Sequence, residues 1–173
     1  EVLLEHWQHT LAAHPGHGGA QAELSRHHFG RQVLIVDAET PTPDRDSGSL
    51  RMINLMRLLR EEGAHVVFLP ANARHDGAYT EALQQLGVET WYAPFAGNMP
   101  AWFREHGPRF DTIVLCRHYV ASEMLPLARK YASQARVVFD TIDLHYLRER
   151  RGADVAGDAA LRRGAERTRA LEL

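Results

Sequence analysis

Several groups of polar residues in this chain have the types and spacing that chemistry needs. Asp44-Arg45-Asp46, followed by Ser47-Gly48-Ser49 and Arg51, sets an Asp-x-Asp pair beside two hydroxyls. Such a pair can hold a divalent metal on a diphosphate, but short Asp spacings commonly build turns by accepting backbone N–H groups. The turn is the reading adopted, and no metal site is expected. Ser47, Gly48 and Ser49 can present amides to an anion at a helix start or cap that helix. Arg117-His118-Tyr119 puts an imidazole directly after an apolar run. Histidine takes or gives a proton near neutral pH, which makes His118 the candidate for proton transfer. Asp140, Asp143 and His145 follow another apolar run. The two carboxylates can bind a sugar hydroxyl, share a proton or pair with Arg148, and Asp143 can cap the next helix. The run Arg148 to Arg151 can meet phosphate or a membrane surface, or form a solvated helix face.

Six of the eleven histidines lie in the first 28 residues: His6, His9, His14, His17, His27 and His28. Imidazoles bind zinc or nickel. Without a thiolate partner nearby, the segment reads as a solvated linker after a short amphipathic helix over Glu1–Ala13.

The elements that position these groups read from Gln32 onward. Val33 to Val36 is a short β-branched run, the pattern of a strand buried on both faces, and Asp37 closes it. Pro41 and Pro43 keep the next residues out of a helix. Ser47 or Ser49 then caps a helix of about Gly48–Glu62, ended by Gly63. Further strands are expected at His65–Leu69, Val88–Tyr92, Phe110–Cys116 and Arg136–Asp140. Helices are expected at about Ala78–Leu86, from an Asn98 cap through His106, and at about Ala121–Tyr131. Pro126 inside that last pattern predicts a kink or a late start. Ala153 to Leu173 is helical. Strands alternating with helices mean a parallel sheet with right-handed crossovers, a Rossmann-like α/β fold of order 3-2-1-4-5 with helices on both faces. The chain reverses between strands one and four, so the crevice lies between the loops after Asp37 and Cys116, with the loop after Asp140 beside it.

Composition narrows the classes. The net charge of −2 gives no global electrostatic case for nucleic acid. The single cysteine, Cys116, excludes an intrachain disulfide and points to a reducing compartment, read here as the cytoplasm. No apolar run approaches the roughly 20 residues of a membrane span, which leaves peripheral membrane contact open. No Gly-x-Gly-x-x-Gly follows strand one, against a tightly held dinucleotide.

Val33 to Glu39 also resembles the opening of a receiver domain. That family needs an aspartate ending strand three and a lysine after strand five, and both positions fail here. Three stretches carry a better resemblance: 37–51 (Asp-Ala-Glu-Thr-Pro-Thr-Pro-Asp-Arg-Asp-Ser-Gly-Ser-Leu-Arg), 58–70 (Leu-Leu-Arg-Glu-Glu-Gly-Ala-His-Val-Val-Phe-Leu-Pro) and 137–150 (Val-Val-Phe-Asp-Thr-Ile-Asp-Leu-His-Tyr-Leu-Arg-Glu-Arg). Together they resemble the N-terminal domain of bacterial GT-B type glycosyltransferases that build surface polysaccharides. The resemblance covers about residues 32–173, with 1–31 outside it as a helix and linker. It implies one half of a two-domain enzyme: this half binds the sugar acceptor, a polysaccharide or a lipid-linked glycan. The nucleotide-sugar donor sits in a C-terminal domain not in this chain, usually without a metal. The isolated chain is then expected to be an inactive fragment with no cofactor of its own. By their place at the strand ends lining the crevice, His118 is the catalytic candidate, and Asp44, Asp46, Ser47, Gly48, Arg51, Arg117, Asp140, Asp143 and His145 are the substrate-binding ones. The rival is a non-catalytic α/β binding or interaction module using the same loops.

Overall fold

A computed structural model describes residues 30–173. The helix and histidine-rich linker expected before them lie outside the described residues. The chain runs β1 (Arg31–Asp37), α1 (Ser47–Glu61), β2 (Ala64–Pro70), α2 (Ala78–Gln85), β3 (Glu89–Thr90), α3 (Met99–His106), a 3-10 turn (Gly107–Arg109), β4 (Thr112–Cys116), α4 (His118–Tyr131), β5 (Arg136–Asp140), α5 (His145–Ala156) and α6 (Ala159–Glu172). The five strands form one parallel sheet of order 3-2-1-4-5, as the alternation predicts.

β1 is central and pairs with both β2 and β4. Its side chains alternate between the two faces of the sheet. Leu34 and Val36 join a core with Phe103 of α3 and Val120 and Met124 of α4. Val33 and Ile35 join a second core with Met52 and Met56 of α1 and Leu83 of α2. The apolar run of β1 is therefore buried on both faces, which is why it carries no alternation of polar residues. β5 is the opposite case. It is an edge strand, and Val138 and Phe139 are exposed at 41% and 37%.

Several boundaries differ from the sequence reading. Asp46 caps α1, accepting from Ser49 N–H at 2.8 Å and Ser49 Oγ at 2.6 Å, in place of a serine cap. A carboxylate reaches the third amide and the hydroxyl together, which a serine side chain cannot do. β3 keeps only two residues of the expected five, although Trp91 N–H still donates to Phe68. Pro94 then removes a donor and the chain leaves the sheet edge. α4 begins at His118, earlier than expected, and runs through Pro126. The start is set by Arg117, whose positive φ of 67° turns the end of β4 straight into the helix. The helical C-terminal stretch is two helices, reversed at Gly157 in the left-handed region, with Asp158 capping α6. No helix among the described residues is long and apolar enough to cross a membrane.

Candidate functional site at the carboxyl edge of the sheet

The carboxyl ends of β1, β4 and β5 lie side by side, so the loops after Asp37, Cys116 and Asp140 meet at one edge. Ion pairs stitch them together. Asp37, almost fully buried, accepts from Arg117 Nε at 2.7 Å and from the Ala38 amide at 2.7 Å. Arg51 of α1 grips Asp140 with two nitrogens, at 2.7 and 3.3 Å. Asp140 also accepts from Ile142 N–H at 3.1 Å. Gly48 lies under this loop: a Cβ there would stand 3.2 Å from Ile142 Cγ2 and 3.1 Å from Asp46 Oδ1. Arg117 and Ile142 both have positive φ, 67° and 61°, without being glycine. Such backbone is costly and clusters where a site over-determines geometry.

The Asp-x-Asp pair is divided between two tasks. Asp44 accepts from Tyr79 OH at 2.9 Å, tying the loop after β1 to α2. Asp46 is the α1 cap, and the Ser49 hydroxyl and amide hold its carboxyl below the ordinary value. The helix start is thus already met by a carboxylate from its own chain. Cys116, buried at the end of β4, has its thiol pushed up by burial and then by Asp37 and Asp140, which keeps it protonated.

His118 and His145 come together, with ring centroids 5.1 Å apart. Between them sits Glu172 of α6, its side chain fully buried. Glu172 Oε1 lies 3.3 Å from His118 Nδ1 and 3.1 Å from His145 Nδ1. The same carboxylate accepts the backbone N–H groups of His145 and Tyr146 at 3.0 and 3.1 Å. It therefore caps α5 from the far end of α6, a role the sequence had offered to Asp143. Asp143 instead pairs with Arg148, and its Oδ1 stands 3.1 Å from His145 Nδ1. The rest of the basic run, Arg150 and Arg151, is exposed.

The structure thus gathers Arg51, Arg117, Asp140, Gly48 and Asp46 along the loops after β1, β4 and β5, and His118, His145 and Asp143 at the start of α4 and α5. Asp44 stands apart, turned towards Tyr79. Ser47 and Arg51 also line a shallow groove of about 440 Å³ along α1 with Leu50, Asn54, Leu55 and Leu58. A larger groove, about 840 Å³ between α5 and α6, is lined by none of the candidate residues, so its size does not make it the site. Two residues escaped the sequence reading. Asp37 was visible as the charge closing β1. Glu172 had no local signal, since only the fold of α6 back along α5 brings it to the histidines. No protein-family model, curated protein or solved structure matches the chain.

Proposed function

We propose that this chain is the acceptor-side half of a GT-B type glycosyltransferase, one that moves a sugar from a nucleotide donor to a polysaccharide or lipid-linked acceptor. The observation that carries the reading is the convergence of charged side chains and two positive-φ residues at the switch point of a 3-2-1-4-5 sheet. Sugars are recognised by planar carboxylates and guanidinium groups held in fixed orientation, and Arg51–Asp140 and Arg117–Asp37 are such groups. Donor binding is assigned to a second domain. His118 contacts the acceptor hydroxyl, with Arg51, Arg117 and Asp140 orienting it. The setting is cytoplasmic, with Arg150 and Arg151 available to anionic lipid headgroups around a lipid-linked acceptor.

A second reading, a non-catalytic binding module, is favoured by one fact: Asp37, Asp44, Asp46, Asp140 and Asp143 all have partners within the chain. Titration calorimetry with UDP-, GDP- and dTDP-sugars and with lipid-linked and polysaccharide fragments separates these readings. The expected result is acceptor binding weakened by Arg51→Ala, with no micromolar affinity for nucleotide sugars. Micromolar binding of a nucleotide sugar overturns the assignment of halves. In an enzyme carrying both halves, His118→Ala should lower the rate by ~10²–10⁴ if His118 moves the proton. Unchanged rate and acceptor affinity would remove His118 from the site.

A further inference from the structure

We propose that His118, His145 and Glu172 form a binding site for one divalent transition-metal ion of the zinc type, which pins the α5–α6 hairpin to the start of α4. The site goes beyond the glycosyltransferase reading and does not rest on it.

The three ligands come from three helices, at the first residues of α4 and α5 and the last turn of α6. Their ligating atoms all lie within 4.8 Å of one another. The two imidazole nitrogens stand 3.3 and 3.1 Å from Glu172 Oε1. Ligands held at about 2.0–2.1 Å around a tetrahedral ion stand roughly 3.3–3.4 Å apart, so the two nitrogen–carboxylate spacings are those of a coordination shell, and the imidazoles, within 4.8 Å of each other, close it by drawing together. Two nitrogens and a carboxylate oxygen suit zinc and its neighbours better than magnesium or calcium, which take oxygen shells.

Two further observations favour a metal over a simple ion pair. His118 Nδ1 is buried and has no hydrogen-bond partner, although a carboxylate oxygen lies 3.3 Å away. The atoms are near but not aligned on each other, as ligand atoms are when they face a common centre. In addition, no arginine or lysine among the described residues pairs with Glu172; its partners there are two imidazoles and two amides. Those amides orient the carboxylate as the surroundings of a metal ligand do. Asp143 Oδ1, 3.1 Å from His145 Nδ1, is the nearest group to supply a fourth oxygen. Ligation through Nδ1 leaves the Nε2–H of His118 to donate to an acceptor oxygen and rules out its taking a proton there while the metal is bound.

The test uses the full chain with the six N-terminal histidines, His6, His9, His14, His17, His27 and His28, changed to glutamine, so that they cannot bind metal themselves. Zinc is titrated against a chromophoric chelator, and cobalt(II) is added separately to read the visible bands of a tetrahedral site. The expected result is one equivalent of zinc, tetrahedral cobalt bands and a thermal midpoint raised by zinc. His145→Ala should abolish the cobalt bands. Glu172→Gln, which preserves size and one acceptor oxygen, should weaken zinc by at least about 10–100-fold, the range seen even for groups one shell further out. Circular dichroism confirms that this variant is folded. No stoichiometric zinc in the parent, or zinc affinity unchanged in folded Glu172→Gln, overturns the site and leaves a proton-mediated clasp.

Discussion

Glu89 and Glu172 are both carboxylates drawn into the protein and met by imidazoles, yet among the described residues only Glu89 is also paired with an arginine. Glu89, on β3, takes His65 Nε2 at 2.6 Å on one oxygen and Trp91 Nε1 and Arg109 Nη2 on the other. Arg109 is 3% exposed and stays charged at any ordinary pH, so the cluster neutralises itself. Burial alone would raise the Glu89 carboxyl, but the bonds from His65 and Arg109 overcome it and bring it down to about 2. Glu172 has the more buried side chain and no arginine or lysine partner among the described residues. A carboxylate beside arginine can be complete as a structural knot. A carboxylate between two imidazoles offers its oxygen and their nitrogens together to a third group.

The comparison can be broken first by acid. The folded value of Glu89 lies below its ordinary 4.5, so the stability it contributes is in full force above about pH 4.5 and is lost as pH falls through about 2. A carboxyl held that far down contributes at most about 3 kcal/mol. Urea unfolding at pH 6, 4 and 3 should show the parent losing stability steadily, while Glu89→Gln starts lower and loses less over the same range. Parallel losses in the two proteins would mean that the Arg109 knot is not the self-neutralised one.

A smaller effect sharpens the other side. In metal-free buffer at pH 7, Glu172→Gln puts an amide NH2 group opposite the backbone N–H of His145 or Tyr146, and should cost about 1–3 kcal/mol of stability. The loss should widen when zinc is added, because only the parent gains from it. Glu89→Gln, measured alongside, should respond to zinc as the parent does. Equal responses from both variants would erase the distinction drawn between the two carboxylates.

The smallest effect serves as a control between them. Asp46→Ala removes the cap of α1 and should cost about 1 kcal/mol by denaturant unfolding, without changing the acid limb set by Glu89 or the zinc response set by Glu172. A change in either would mean that the start of α1 is coupled to one of the clusters through Gly48 and Ile142.

The order of the sheet and the place where its polar residues gather were legible from local pattern alone. Runs such as 33–36 and 113–116 are apolar enough to bury on both faces, and the glycines at 63 and 87 end helices by their own backbone freedom, at φ of 80° and 79°. Those local rules, joined to the right-handed crossover, leave few ways to arrange five parallel strands. They also put Arg51, Arg117, His118, Asp140 and His145 near one edge. What each side chain does there was decided by tertiary structure. Whether Asp44 and Asp46 act as a pair depended on Tyr79 and Ser49, one far along the chain and one near. The cap of α5 came from Glu172, 27 residues beyond His145, and nothing in the Leu-Glu-Leu around it announces a ligand. Helix and strand propensities act over a few residues, whereas a carboxylate meets two imidazoles only when Gly157 reverses the chain and α6 packs back along α5.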